Sequence, residues 1–349
     1  MTKNDDFKFD VVIGNPPYQE EIKGTSDRQI YPYFMDESYK IADIAEFITK
    51  AGFLFNAGKT PRKWNEKMLQ DPHLKVLFYE PNSSKVFENT GFKGGVAVTY
   101  WDRNSEHAPI GTFSPFPTLQ SIIGKVVFES DFTTISKNIF VQSKFDLDAL
   151  YKENPDLKNM IGSGGKEKRL TTSIFKLPIF SKNETSDENI KIWGIEGSNT
   201  RTYRYIKESY LATDDLLNSY KVLVPASNGS GSLGETLSTP LIGEPLIGEP
   251  LIGFTQTFIA IGKYDNLLEA ENTLKYVKTK FARVMLGTLK VTQHNHASTW
   301  KNVPLQDFTA NSDIDWTKSI AEIDQQLYQK YNLSQDDIDF IETHVKEMD

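Results

Sequence analysis

Two adjacent prolines end an apolar run near the start of the chain, and no other stretch restricts the fold as tightly. Phe9, Val11, Val12 and Ile13 form a short, β-branched segment of the kind that a parallel sheet buries on both faces. Gly14 allows a sharp turn after it. Pro16 and Pro17 fix φ, donate no ladder hydrogen bond and keep the residue before each out of the αR region. Asn15 is therefore expected to stand extended at the carboxyl end of a strand, where open α/β sheets bind their ligands.

An extended asparagine, a stiff proline pair and then Tyr18 suit methylation of an exocyclic amine. Such an amine, conjugated to a purine, is a poor nucleophile. It improves when two acceptors hold its N–H groups and leave a lone pair facing an electrophilic methyl. The Asn15 side-chain oxygen and the Pro16 carbonyl, kept close by Pro16-Pro17, can act as that pair. Tyr18 adds a ring on which a base rotated out of a duplex can stack.

On the segment Asn15-Pro16-Pro17-Tyr18 after a hydrophobic strand, the sequence resembles the amino-methyltransferases, and among them the adenine-N6 DNA methylases of bacterial type II restriction–modification systems. The resemblance implies S-adenosylmethionine as methyl donor and double-stranded DNA as partner. It implies an α/β fold: a partial Rossmann-like methyltransferase sheet over 1–105, a mixed α+β target-recognition domain over 106–312, and a short acidic helical tail over 313–349. The same tetrapeptide serves glutamine and RNA-guanine methyltransferases, so the motif gives the reaction and not the substrate. The long region after the catalytic half favours DNA, because a protein-glutamine methyltransferase has no obvious use for it.

The following residues fit this order. Gly24 to Asp27 reads as a polar loop, and Phe34, Ile41, Ala42 and Ala45 recur at helical spacing from Pro32. Glu46 to Phe55 reads as a second buried strand, and Leu74–Tyr79 and Gly95–Trp101 as two more. Lys59, Arg62, Lys63 and Lys67 around Trp64 make a cationic edge for a DNA backbone. Gly52 and Gly58-Lys59-Thr60 only imitate a phosphate loop, since five residues separate the glycines and the motif needs four. Between the last two strands the resemblance assigns Phe87 as a second aromatic against the flipped base, with Phe92 close by.

Beyond Arg103 the pattern breaks into short segments: a Pro-rich turn over Pro109–Pro117, a helix over Leu119–Val127 and strands over Ile190–Ile195, Lys221–Pro225 and Phe258–Gly262. Asn228 to Gly234 imitates a cofactor-cradling glycine loop, as a permuted methylase would carry it, but Pro240 intervenes before any helix can open. Three copies of Pro-Leu-Ile-Gly from Pro240 to Phe254 forbid a helix and favour an extended ribbon or successive turns. Glu269 to Leu289 reads as one helix. Lys280 and Arg283 on it, with His294, Asn295 and Trp300 after it, are the expected DNA contacts of this half. His294 and His296 do not share a helix face, so no metal site is expected.

The net charge of −8 argues against a nucleic-acid partner until its distribution is counted. From Asp313 to Asp349 ten acidic residues oppose Lys318, Lys330 and Lys346, a balance of −7, so the remainder is almost neutral. That tail reads as two amphipathic helices, with Ser334 and Asp337 as a capping pair. There is no cysteine, hence no disulfide and no Cys-based zinc site; no run is long enough to span a membrane; and a cytoplasmic protein is expected. No S-adenosylmethionine loop is recognisable upstream of Phe9, so a second chain is expected to supply the cofactor-binding half. A truncated remnant, or a non-catalytic DNA-binding specificity subunit, is the alternative.

Overall fold

A computed structural model describes residues 9–20, 28–56, 58–88, 90–91, 94–107, 109–111, 113–114, 116–161, 167–186, 189–197, 199–228, 233, 241–290 and 293–348. The loop expected at Gly24–Asp27, Phe92, Pro240 and all of the glycine loop at 228–234 but Asn228 and Leu233 lie outside the described residues. The chain divides into two compact units, 1–117 and 118–349.

The first unit is built on a mixed sheet in the order β1-β4-β6-β5. β1 (Phe9–Gly14) is followed by a small ladder, β2 (Gln19–Glu20) with β3 (Arg28–Gln29), and then by α1 (Tyr31–Ile41). Pro32 suits the first turn of α1, where its missing N–H costs nothing. β4 (Ala42–Lys50) begins directly after α1, so Ala42 and Ala45, expected on the helix, belong to the strand. The second strand also ends earlier than expected, since Ala51–Phe55 winds into a 3₁₀ turn. α2 (Arg62–Gln70), β5 (Leu74–Glu80) and β6 (Val96–Asp102) complete the unit.

Strand alternation decides which face is covered. Ala45, Phe47 and Thr49 of β4 and Ala97, Thr99 and Trp101 of β6 are buried, in a core that includes Tyr31, Met35, Phe53, Trp64, Met68 and Leu74. Gly14 ends β1 against this core, where an added Cβ would lie 3.3 Å from the Phe47 ring. The other face is poorly covered. Phe9, Val11 and Ile13 point to it, Ile13 being 74% exposed, beside half-buried Ile44, Ile48 and Val98 and exposed Phe78. β1 was expected to be buried on both faces; instead it is an edge strand, pairing among the described residues only with β4, in parallel.

The second unit opens with α3 (Pro117–Val127), β7 (Ile139–Phe140), α4 (Leu147–Glu153) and α5 (Leu157–Met160). β8 (Asn189–Glu196) and β9 (Thr200–Lys207) form a hairpin, and β10 (Tyr220–Pro225) follows. The second and third repeat copies then enter different sheets. β11 (Leu246–Gly248) lies antiparallel to β10, whereas β12 (Ile252–Phe254) runs parallel to β8. Leu251, at φ 62°, turns the chain between them. β13 (Phe258–Tyr264) joins β10, giving one sheet β11-β10-β13-β7 and another β12-β8-β9.

The long helix expected over Glu269–Leu289 is two helices, α6 (Leu267–Lys278) and α7 (Lys280–Gly287). Thr279 is extended between them, and its side chain caps α7 by accepting from the Ala282 N–H. The tail forms α8 (Ile320–Lys330) and α9 (Gln335–His344), each opened by a reciprocal capping box, Ser319 with Glu322 and Ser334 with Asp337. These helices pack against α6 and α7, so the tail belongs to the second unit.

Candidate active site

The topology of the first unit gathers three sequence-predicted elements at one end. β1 and β4 are parallel, and β6 runs antiparallel to both β4 and β5, so β1, β4 and β5 all point their carboxyl ends the same way. The loops leaving those ends carry, in turn, Asn15–Tyr18, then Lys59, Arg62 and Lys63, then Phe87. Phe87 is half-buried, with its N–H bonded to the Ser83 carbonyl and its own carbonyl accepting from Thr90.

Within the motif, burial alternates. Asn15 and Pro17 are exposed, Pro16 is buried and Tyr18 is half-buried. The Tyr18 carbonyl accepts from the Ile30 N–H at 3.0 Å, which ties the loop to the start of α1. Burial pushes the Tyr18 phenol up, and the neighbouring Asn15 side chain partly offsets this. Its ring meets Tyr31 edge-on, and Tyr31 packs in the same way on Trp64, with centroids 6.0 Å apart. The Thr60 side chain, in the cationic loop, lies beside the buried Tyr31 hydroxyl. The Tyr18 ring is thus braced by core aromatics.

Lys50, the last residue of β4, was not expected here. Its ammonium lies 5.9 Å from the Tyr18 ring centroid and donates to the Gln19 Oε1 at 2.6 Å. The Gln29 amide reaches the same oxygen at 3.4 Å. No local pattern marks Lys50, because its place depends on the pairing of β1 with β4.

Among the cationic residues, Lys59 and Lys63 are exposed, and Arg62 is exposed while paired with Glu66 at 2.9 Å. The second-half set fares differently. Arg283 is 1% exposed, its guanidinium donates to the carbonyls of Lys278, Thr279 and Lys346, and burial lowers its pKa to about 10. Asn295 is buried, donating to the Pro225 carbonyl and accepting from the Trp300 indole at 2.6 Å, and Trp300 is fully buried. The expectation that Arg283, Asn295 and Trp300 touch DNA is therefore corrected: they tie the interior together. The break at Thr279 is the reason for Arg283, since it resets the helical phase that placed this residue on a polar face. Lys280 is largely covered and pairs with Glu342 beside the acidic tail. His294 remains exposed, stacked on His296 at 5.6 Å.

The acceptors and the ring suit an amine-bearing base. Among the described residues no strand runs through a glycine loop into a helix, the arrangement that would cradle S-adenosylmethionine. No group of three or more His, Asp or Glu side chains among them could hold a metal, and no described helix is long and apolar enough to cross a membrane.

Residues 1–87 match the family described as Eco57I restriction-modification methylase. No curated protein matches the chain. Among solved structures, the type IIG restriction endonuclease BpuSI is similar at 11% identity and a TM-score of 0.36, over 97% of this chain and 53% of that one. The chain thus spans about half the length of that protein, and at so low a score the likeness decides nothing.

Proposed function

We propose that this chain is the base-accepting and target-recognising portion of a restriction–modification DNA methyltransferase that modifies the exocyclic N6 amine of a flipped-out adenine. The observation that carries the reading is Asn15-Pro16-Pro17-Tyr18, placed with an exposed Asn15 at the carboxyl end of β1, within the stretch that matches the methylase family. Asn15 and the Pro16 carbonyl accept the two amine protons, Pro17 stiffens the pair, and Tyr18 and Phe87 sandwich the base. S-adenosylmethionine, when bound, supplies the methyl. Lys59, Arg62 and Lys63 lead the DNA backbone toward this end of the sheet, and His294 contributes from the second unit, which covers most of the target-recognition region. Such work belongs in the cytoplasm.

The uncovered edge and face of β1 support a second chain as holder of the cofactor. A strand pairing with β1 would bury its outer edge, and helices accompanying it would cover Phe9, Val11 and Ile13. The parallel β1–β4 pair is what remains of a Rossmann-like sheet in this reading. One other reading is a specificity subunit or remnant that binds DNA and transfers nothing.

Replacing Asn15 with alanine separates them, assayed with the companion chain by methyl incorporation and by gel shift. The proposed enzyme loses transfer by roughly 10²–10³-fold, the usual cost of removing one polar group matched to the reacting centre, while DNA affinity holds. Undiminished transfer in Asn15→Ala overturns the clamp. A native chain that binds DNA and never transfers a methyl points to the specificity subunit.

A further inference from the structure

We infer that Lys144 and Arg169 form a cationic clamp on the second unit that grips the phosphate backbone of duplex DNA. This rests on the proposed target-recognising role of that unit and supplies a contact that the buried Arg283, Asn295 and Trp300 do not.

An isolated antiparallel bridge sets Lys144 directly opposite Arg169. The Phe145 N–H donates to the Lys168 carbonyl at 2.8 Å and the Leu170 N–H to the Ser143 carbonyl at 3.4 Å, so the hydrogen bonds flank the pair and do not join it. In an antiparallel pair of that kind the side chains stand closest, with Cβ atoms about 4.5–5.5 Å apart. Alternation along the backbone decides which way they face. Phe145 and Leu170, the next residue on each side, are buried in one core, so Lys144 and Arg169 stand outward, and both are exposed.

Like charges directly opposite each other on paired segments repel. Neither cation forms an ion pair among the described residues. The carboxylates nearest to them in sequence are engaged elsewhere. Asp146 caps α4 by accepting from the Asp148 and Ala149 N–H groups, and Glu167 lies close enough to Tyr151 of α4 to add to the rise that burial gives its phenol. A phosphate between the two heads removes the repulsion and takes charge-assisted hydrogen bonds from both.

The surroundings favour nucleic acid over other anions. The Gln256 N–H donates to the carbonyl of Leu170, next to Arg169, and the Gln256 side-chain amide donates to the Thr172 hydroxyl at 3.2 Å. Both side chains are exposed. A carboxamide and a hydroxyl beside a phosphate grip are the groups that meet base edges. Gln256 closely follows β12, so the last copy of the repeat leads straight to this surface.

A short duplex of random sequence tests this, because phosphate contacts carry no sequence information. Its affinity for the full chain is measured by fluorescence anisotropy across a salt series. The proteins are the native chain, Lys144→Gln, Arg169→Gln, the double variant and Lys346→Gln, whose lysine lies in the acidic tail. The expected result is that each single variant weakens binding at low salt, and that the double variant reduces the slope of log affinity against log salt by at least about one. Lys346→Gln leaves the slope unchanged. The clamp variants melt no lower than the native chain, since removing either cation relieves repulsion; a clear drop in melting temperature would show both cations satisfied within the protein and overturn the clamp. A native slope that the double variant keeps, or that Lys346→Gln reduces as much, overturns the clamp and leaves target recognition standing. Poly-glutamate that displaces the duplex at equal charge overturns the choice of nucleic acid in favour of an acidic polypeptide. A native chain that binds no duplex at low salt overturns the target-recognising reading, and the clamp with it.

Discussion

The Tyr18 ring meets the Tyr31 ring at right angles, with centroids 6.5 Å apart and planes at 86°. Tyr31 is 1% exposed and packs on Phe53 and Trp64 as well, so the core holds the ring that the proposed base would stack on. Substitutions at the two positions should separate binding from folding. Tyr18→Ala should weaken nucleotide binding by about 1–3 kcal/mol, the usual value of a base–aromatic stack, with little change in melting, whereas Tyr18→Phe should keep most of the affinity. Tyr31→Ala should instead destabilise the first unit by roughly 3–5 kcal/mol through the cavity it leaves. Thermal melts and nucleotide titrations on the same preparations check both; equal melting losses at the two positions would show that the ring is not braced as described.

Ile13, the most exposed of the three apolar side chains that β1 turns away from the core, tests the uncovered face. Ile13→Asp should shift stability by no more than about 0.5 kcal/mol, since the side chain has little to lose in this chain alone. It should lower binding of a hydrophobic dye such as ANS, and with a companion chain present it should impair assembly. A large drop in melting temperature would mean that the face is covered within the chain.

Leu251 adopts φ 62° at the turn between β11 and β12, a region in which an L side chain costs about 1–2 kcal/mol. The side chain is 42% exposed, so little burial offsets that cost. Leu251→Gly should therefore leave the second unit as stable as before or more stable by about 0.5–1 kcal/mol, despite the entropy that glycine adds to the unfolded chain. Urea midpoints decide it. A marked loss would show that the leucine packs more than its exposure suggests.

Asp324 gives the docking of α8 on α7 a pH dependence. Its carboxylate accepts from the Lys280 and Phe281 N–H groups at 2.9 and 2.8 Å, and burial pushes its pKa up to about 6, against those bonds and Arg283. Glu342, close by, adds to the rise. The folded state therefore holds this proton more tightly than the unfolded chain, whose pKa is near 3.8. The contribution to stability is fully present below about pH 4 and is lost as pH rises through about 6. Asp324→Asn keeps an acceptor and should flatten the fall in urea midpoint between about pH 4 and pH 7. Parallel profiles for the two proteins would refute the assignment.

The placement of the motif was legible because prolines act locally. Pro16 and Pro17 restrict their own φ and the residue before each, and Gly14 and the β-branched run before it need no distant partner to define a strand end. Capping was legible for the same reason, and Ser334 with Asp337 does open α9 as read. Register and phase were not. Ala42 and Ala45 suit helical spacing equally well, and pairing with β1 and β6 puts them in a strand.

What the amino-acid order determined by itself is therefore the Asn-Pro-Pro-Tyr tetrapeptide and the turn that presents it, since both follow from torsions within a few residues. Tertiary structure alone decided that β1 is an edge strand among the described residues, that Arg283, Asn295 and Trp300 are spent inside, and that Lys50 reaches Tyr18. Each of these depends on which segment lies alongside, and that is fixed by packing between residues far apart in the chain, where periodicity carries no information.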